Sequence, residues 1–525
     1  IIFKVSGTGK GVAIAGKLGA YQFDNIDGFV DLDRRGFNVT GRGAVNNVPL
    51  NFDWEQGLAN ASEEPPRPSR LAISETLSGE DFIALGFDWA GNRLQGRVPM
   101  NIKFDGPIGK PRAYHFNADL TQGAVSFMPL THIKETGARA RLSGRLDIAV
   151  EAGTRVLEFS YEEEGETPIV GRAEFNGPSL LRITMPVFDL GEMENVDFGL
   201  TEMGGYRQVS LRATKFLIND PVASAFSNSG ASDRLFVDSI NAILGDNFSI
   251  ETQIDTLYGS HEERLDGLRL IINATDGLYE RMQVQGSFAD GSEMVGDLTR
   301  TAPNMRSFSL QAENGSNVIR LLGFLPDLEG GAMLWQGTFY DNGAAANGKL
   351  QDIAGRLEMQ SFRAREVPVL ARLLSLGSFT GIADTLSGDG IAFDVAQFKF
   401  TMHDGVIRVR SGRFNGPALG LTTKGAFNLR SREVDFGGTV VPAYGINSVL
   451  ENIPLIGRVL TGRKGEGVFG FSYRVGGTTN DLSFLVNPLS VLTPGILRRV
   501  FEIGIGDLPE VTVTDDDPVE DEIDD

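Results

Sequence analysis

Short runs of alternating apolar and polar residues, each ended by glycine, asparagine or aspartate, make up most of this chain. In the segment LSGRLDIAV, Leu142, Leu146, Ile148 and Val150 fall on one face of an extended strand. A period of two is typical of antiparallel strands with one buried and one solvated face. The pattern therefore predicts a mostly β fold whose sheet must cover its apolar face or bind something with it.

The composition points in the same direction. Glycine accounts for 65 of the 525 residues and phenylalanine for 34, which favours many strands and turns over helices. A chain of this length is too long for one ordinary compact core. The formal net charge of −21 argues against a nucleic-acid partner, because phosphate binding needs a basic face.

No pattern of catalytic or metal-binding residues stands out. The chain has no cysteine, and its four histidines are widely separated, so disulfides and thiolate metal sites are excluded. No GxSxG or HExxH motif occurs. Residues 7–11 have the wrong spacing for a phosphate loop, and in the loop-like run 343–349 the metal-binding hydroxyl is replaced by Leu350. We therefore expect no catalytic residue, no metal and no cofactor.

The two ends of the sequence carry expectations of their own. The chain begins Ile1-Ile2-Phe3 without an initiator methionine or a signal peptide, which predicts a piece of a longer or processed protein. No run of about 18 apolar residues occurs, so we expect no membrane-spanning helix within it. The acidic residues 514–525 are predicted to be a disordered tail.

Several short helices are expected between the strands. Apolar residues recur at helical spacing within 218–247, at 318–322 and at 368–377. Two further inserts, 446–460 and 494–502, are predicted to be amphipathic helices that contact a membrane or close the end of the sheet. Their contact residues are Ile446, Val449, Leu450, Ile453, Leu455, Ile456, Val459, Leu460, Ile496, Leu497, Arg498, Arg499, Val500 and Phe501.

Alternation alone is compatible with two structures around the apolar face. It can be filled by a second sheet or by helices, which gives an ordinary packed core. It can also curl into an open groove that holds acyl chains, at roughly 25 cal/mol per Å² of buried apolar area.

The region from about residue 305 to 505 resembles a known family. The segments GPALGLTTKGAFNL and VVPAYGINSVLENIPLIGRVLTGRKGEGVFGFSYRVGGTTNDLSFLVNPLSVLTPGILRRVFE, in this order and spacing, are similar to the C-terminal region of the AsmA-like family. The YhdP-like members are the nearest type, and the TamB-like members are more distant. Residues 1–304 share with this family only a β-rich pattern that is punctuated by glycine and poor in motifs.

The resemblance implies an elongated antiparallel sheet curled into a taco-like groove, as in bridge-like lipid transfer proteins. It implies a periplasmic protein of a Gram-negative bacterium, anchored in the inner membrane by an N-terminal helix missing here. Such proteins carry phospholipids between the inner and outer membranes, with the acyl chains in the groove. The C-terminal inserts would then lie near the outer membrane, and the family has no catalytic residues to transfer.

The expected division of the chain is residues 1–217 as groove, 218–304 as an insert with further strands, 305–513 as the C-terminal groove region, and the tail. Apolar residues in alternation are expected to line the groove. They are Leu146, Ile148, Val150, Ile391, Phe393, Val395, Phe469, Phe471, Tyr473, Leu482, Phe484 and Val486.

Two other functions remain open. A structural or assembly factor for outer-membrane proteins would bind its clients by strand addition at an exposed edge. A surface adhesin or carbohydrate-active solenoid would carry ladders of aromatic and acidic residues, but the chain has only 9 tyrosines and 3 tryptophans.

Overall fold

The computed structural model describes most of the chain. The described residues are 4–12, 17–18, 21–57, 69–85, 93–105, 112–126, 132–148, 154–176, 179–218, 244–325, 327–340, 352–365, 370–372, 374, 389–403, 405–429, 431–442, 471–479 and 481–487. By its contacts the chain divides into unit 1, Ile1–Arg300 with Arg320–Gly323, and unit 2, Thr301–Ile319 with Phe324–Asp525. The domain boundaries expected at 217/218 and 304/305 stay predictions.

Unit 1 contains the strands up to β20, a short α-helix, α1 (Gly79–Ala84), and a 3₁₀ turn at Ser260–Glu262. Its first strands are β1 (Lys4–Val12), β2 (Lys17–Leu18), β3 (Tyr21–Asp33), β4 (Gly36–Val45), β5 (Val48–Gly57), β6 (Arg70–Ser78), β7 (Leu94–Asp105), β8 (Ala113–Asp119), β9 (Gly123–Ser126) and β10 (Ile133–Lys134). The others are β11 (Ala140–Asp147), β12 (Thr154–Glu163), β13 (Ile169–Asn176), β14 (Ser179–Val187), β15 (Asp197–Met203), β16 (Tyr206–Leu217), β17 (Phe248–Tyr258), β18 (Arg264–Thr275), β19 (Leu278–Phe288) and β20 (Glu293–Ala302).

The strands of unit 1 follow one another across an open sheet in the order β1, β3 to β8, then β11 to β20. Strand β2 pairs with β3, and the hairpin β9–β10 pairs with the first residues of β7. The described pairings are antiparallel except that of β16 with β17, which is parallel. The antiparallel prediction is wrong at this pair, because the long connection 218–247 lets the chain return to the same end of the sheet before β17 begins.

Unit 2 contains strands β21 to β29, each antiparallel to the next. They are β21 (Met305–Ala312), β22 (Leu328–Tyr340), β23 (Asp352–Ala364), β24 (Ile391–His403), β25 (Val406–Asn415), β26 (Leu419–Asn428), β27 (Glu433–Pro442), β28 (Phe471–Thr478) and β29 (Asp481–Asn487). Helix α2 spans Gly315–Leu321, at the helix predicted around 318–322.

Strand β29 shows that this sheet curls. The connection between β23 and β24 is helical at residues 370–372 and 374, and there the Arg372 guanidinium lies 5.0 Å from the centre of the Phe484 ring on β29. On a flat sheet β24 and β29 would be about 24 Å apart at roughly 4.8 Å per strand. This short helical segment lies in the connection that leads into β24, and it also contacts β29. The sheet must therefore bend around the segment.

Helix α1 is not among the short helices expected from the sequence. The Ser78 side chain accepts a hydrogen bond from the Asp81 backbone, and the Asp81 side chain accepts one from the Ser78 backbone. This reciprocal capping satisfies amides that a helix start would otherwise leave unpaired. With that correction, the prediction of a mostly β fold, with an open and curled sheet and a few short helices, is confirmed.

Candidate functional site

The strand register of unit 1 aligns apolar residues from β3 to β20. Residues that are direct partners in neighbouring strands lie on the same face. The partners of Leu146 can therefore be followed in both directions, and every strand from β3 to β8 and from β11 to β20 contributes one apolar residue. This apolar row consists of Val30, Val39, Trp54, Leu71, Phe104, Tyr114, Leu146, Leu157, Ala173, Ile183, Leu200, Val209, Ile250, Ile272, Met282 and Leu298.

The opposite face is polar. The residue before Leu146 is Arg145, whose partners are His115 on one side and Glu158 on the other. Glu158 in turn faces Arg172, and the two side chains form an ion pair of 3.0 Å. The sheet of unit 1 therefore has one face for water and one continuous apolar face, as the alternation predicted.

Part of the apolar row is only half-buried. From β4 to β12 none of its members belongs to the buried clusters that the described residues of unit 1 form. We call this part the open stretch; it comprises Val39, Trp54, Leu71, Phe104, Tyr114, Leu146 and Leu157. At about 4.8 Å per strand it is roughly 30 Å long.

A second row, two residues further along each strand, widens this surface. It contains Phe52, Ile73, Ile102 and Phe116, all half-buried, and then Gly144. The Phe116 ring lies over Gly144, since a Cβ on this glycine would meet ring carbons at 2.4 and 2.6 Å. A glycine under an aromatic ring of the neighbouring strand keeps the surface filled without a side chain of its own.

The margin of the apolar face is packed. Val98, Leu120 and Tyr161 belong to one buried cluster, against which Phe82 of α1 packs. A smaller cluster around Val48, which Phe82 also contacts, continues this margin. The apolar face of unit 1 is therefore packed near one end of the strands and only half-buried along their middle.

A buried polar group lies next to this margin and was not predicted. Glu163 Oε2 is 2.8 Å from His132 Nε2 and accepts a hydrogen bond of 2.5 Å from the Tyr161 hydroxyl. Burial, together with Glu163, raises the pKa of Tyr161. Fully buried Lys134 donates to the carbonyl oxygens of Leu120 and Gly123, and its burial lowers its pKa.

These contacts tie the hairpin β9–β10 to the sheet, which is a structural role. Among the described residues no group of three or more His, Asp or Glu side chains is arranged to hold a metal ion.

In unit 2 the predicted lining residues lie mostly in one buried cluster. Ile391, Phe393, Phe471 and Tyr473 are almost fully buried in it, and Leu482, Phe484 and Val486 pack against it. Leu370 and Leu374 of the helical connection belong to the same cluster. The sequence therefore identified residues that share a face, but here that face is filled by the chain itself.

Val395 departs from this pattern. Its partners are Gln360 and Asn415, whereas its neighbour Ala396 is buried in the cluster. The buried positions change parity in β24 between Phe393 and Ala396. On the adjacent strand β23 they change between Met359 and Phe362, where Ser361 has a positive φ of 56°.

The remaining predicted residues are divided between two regions. Leu146 lies in the open stretch, and Ile148 is half-buried just beyond the end of β11. Val150, Phe469 and every predicted contact residue of the inserts 446–460 and 494–502 lie outside the described residues, as does the acidic tail. Their roles stay predictions.

Unit 2 also has a half-open part, away from its buried cluster. Phe308, Trp335, Phe339 and Phe400 form a group of rings with centres 5.1 to 6.3 Å apart, and all four are half-buried. Tryptophan is rare in this chain, yet Trp54 and Trp335 both lie among half-buried apolar residues. The scarcity of tryptophan in the sequence gave no sign of this placement.

No family model, curated protein or solved structure matches this chain. Within the described parts of the chain, no helix has the length and apolar character needed to cross a membrane.

Proposed function

We propose that this protein carries phospholipids between the inner and outer membranes of a Gram-negative bacterium, with their acyl chains on the apolar face of its sheet. The observation that carries the proposal is the apolar row of unit 1, which is continuous from strand to strand and only half-buried from β4 to β12. The resemblance of residues 305–505 to the AsmA-like family supports the same function and a periplasmic location.

The dimensions of the open stretch suit an acyl chain. A bilayer core of about 30 Å holds two layers of acyl chains, so one extended chain is roughly 15 Å long. The open stretch is about twice that length. Each buried CH₂ group would contribute about 0.8 kcal/mol, less the cost of ordering the chain.

Movement along such a surface needs no catalytic group. Each neighbouring strand offers a similar apolar residue at the same register, so a lipid that moves by one strand exchanges one set of contacts for an equivalent set. The polar opposite face keeps the sheet in water. The direction of transport would then follow from the lipid gradient or from a partner protein.

The first test is to purify the chain under native conditions and to identify bound lipid by mass spectrometry. We expect co-purified phospholipid. A protein that contains no lipid but holds a client polypeptide would instead support the assembly-factor function.

A pair of adjacent substitutions then locates the lipid. Phe104→Glu places a charge on the apolar row, and Lys103→Glu places the same charge one residue away on the polar face. We expect Phe104→Glu to reduce phospholipid uptake at least tenfold and Lys103→Glu to leave it unchanged. Leu146→Gln is a milder variant of the same row. Equal uptake by all variants, with unchanged far-UV circular dichroism, would contradict the proposal.

The membrane contacts of the inserts need a separate measurement. Deletion of residues 494–502 should weaken binding of the chain to liposomes if that insert contacts a membrane. Unchanged binding would favour the alternative that it covers the end of the sheet.

A further inference from the structure

A cavity lies on the polar face of unit 1, across strands β18, β19 and β20. Ile272, Met282 and Leu298 belong to the apolar row, so the residues directly before and after them point to the opposite side of the sheet. On that side the three strands line a cavity of about 800 Å³. We call it the polar-face cavity. The sheet itself separates it from the apolar row, so it is not part of the proposed lipid surface.

Two arginine side chains of the polar-face cavity have no partner. Arg269 and Arg281 line the cavity and are exposed, and neither side chain forms an ion pair or a hydrogen bond with any described residue. By contrast, Arg300 beside the cavity is paired with Glu280 at 2.8 Å. An unpaired guanidinium group can bind a carboxylate through two parallel hydrogen bonds.

An apolar side chain lies halfway between these two arginines. Arg281 is opposite Asn273 on β18, and Ile271 is midway between Asn273 and Arg269. The two arginines are therefore four residues apart along the strand direction, roughly 13 Å at about 3.3 Å per residue. Ile271 is 38% exposed, and Val295, at the level of Arg269, is 54% exposed. The cavity thus presents a cation, an apolar side chain and a second cation in sequence.

The neighbouring strands restrict where a ligand can carry negative charge. Arg269 faces a glutamine on each side, and Arg281 faces an asparagine and a threonine. The carboxylates Glu251 and Asp297 lie instead at the level of Ile271, where they repel a negative group. A ligand that fits therefore has two acidic groups about 13 Å apart with an apolar group between them.

The acidic C-terminal segment, which lies outside the described residues, has this pattern. Asp517, Val519, Asp521, Ile523 and Asp525 alternate between acidic and apolar. In an extended chain, alternate residues share a face, and acids four residues apart are roughly 13 Å apart. The segment therefore matches the polar-face cavity in charge, in order and in spacing.

We propose that residues 515–525 bind to the polar-face cavity as an extended segment. Two of its carboxylates pair with Arg269 and Arg281, and the valine or isoleucine between them contacts Ile271. This is the recognition of an acidic motif by arginines. The inference goes beyond the proposed function and does not depend on it, because the lipid surface is the other face of the sheet. The chain has a net charge of −21, so the attraction comes from these two guanidinium groups and weakens as salt is added.

The test measures binding of a fluorescein-labelled peptide of residues 514–525 by fluorescence anisotropy. The peptide is titrated with the full-length chain and with a chain that ends at Val513. We expect saturable, salt-sensitive binding, and the full-length chain should bind more weakly because its own segment competes. In the shortened chain, Arg269→Gln with Arg281→Gln should weaken binding by about tenfold or more, because the charge-assisted hydrogen bonds are lost.

A matched pair of substitutions controls for net charge. Arg145→Gln with Arg172→Gln removes the same two charges from the polar face, but these arginines are paired with Asp147 and Glu158. This variant should bind the peptide as well as the unsubstituted chain does. Circular dichroism verifies that both double variants are folded.

A rearranged peptide controls for the pattern. Exchanging Val519 with Glu520, and Ile523 with Asp524, keeps the composition but moves the apolar residues to the other face of the extended segment. This peptide should bind about fivefold more weakly, because it brings a carboxylate to the level of Ile271. Any of four results would overturn the inference: no binding, equal binding by the full-length and shortened chains, an equal loss in both double variants, or equal affinity for both peptides.

Discussion

The two units use the same kind of sheet in opposite ways. In unit 1 the apolar face is half-open along its middle, and its buried residues form separate small clusters at the margin and around β14 to β18. In unit 2 one large cluster joins residues from β22 to β29 with the helical connection at 370–374. Alternation makes an apolar face in both units, and the connections between strands decide whether the chain itself fills that face.

The comparison also separates two kinds of apolar residue that look identical in the sequence. Phe471 is 1% exposed and lies in the large buried cluster of unit 2, whereas Leu146 is half-buried and lies in none of the buried clusters that the described residues of unit 1 form. The first kind should matter mainly for stability and the second mainly for binding. Four predictions test this distinction, in order of decreasing effect on stability.

The largest effect is expected for Phe471→Ala in unit 2. Removing a fully buried ring leaves a cavity lined by apolar side chains, so the free energy of unfolding should fall by about 3–5 kcal/mol. Urea denaturation followed by circular dichroism measures the loss. A loss below about 1 kcal/mol would show that this end of the sheet is as open as the middle of unit 1.

Gly144→Val should have an intermediate effect in unit 1. Its new side chain would collide with the Phe116 ring and approach the Glu158 carbonyl oxygen at 2.8 Å, which should cost about 1–3 kcal/mol. Adding Phe116→Leu frees space and should recover part of the loss. The double-mutant cycle measures this coupling, and purely additive effects would mean that the ring does not lie over the glycine.

Leu146→Ala should barely change stability. The side chain is half-exposed already, so the free energy of unfolding should fall by about 1 kcal/mol or less. Phospholipid uptake should fall at the same time, because the open stretch loses part of its apolar contact. The reverse result, a large loss of stability with normal uptake, would identify this region as an ordinary packed core.

The smallest effect concerns pH. Burial raises the pKa of Tyr161 in unit 1 and of Tyr473 in unit 2, and both lie in packed clusters. A tyrosine whose pKa is higher in the folded than in the unfolded state adds stability that is complete below about pH 10 and is lost as the pH rises further.

In a pH titration followed by tyrosinate absorbance, some tyrosines should therefore ionise only at the pH at which the protein unfolds. Tyr161→Phe and Tyr473→Phe should each remove one residue from that group. If both tyrosines ionise with the exposed ones, the two clusters are accessible to water.

Much of this fold could be predicted from the sequence. The period-two pattern identified strands and their faces, and Phe471, Tyr473, Leu482, Phe484 and Val486 do share one face. The short helix at 318–322 was also predicted correctly. Helix α1 was missed because its apolar residues are compatible with either structure, and the capping interaction of Ser78 and Asp81 decided between them. Alternation along the sequence does not reveal that the buried positions of β24 change parity between Phe393 and Ala396, so that Val395 lies between two buried positions.

By itself, the sequence determined the local structure: strands, turns, and which residues are apolar together. Those properties depend on neighbours along the chain, and period-two alternation expresses them directly. Only the tertiary structure decided that the apolar residues of successive strands align into one row, because register depends on partners far apart in sequence. It alone decided that the row of unit 1 is half-buried from β4 to β12 and that the apolar face of unit 2 is filled around Phe471, because burial depends on where each connection crosses the sheet. The candidate site exists because the apolar residues align and because part of their row stays half-buried.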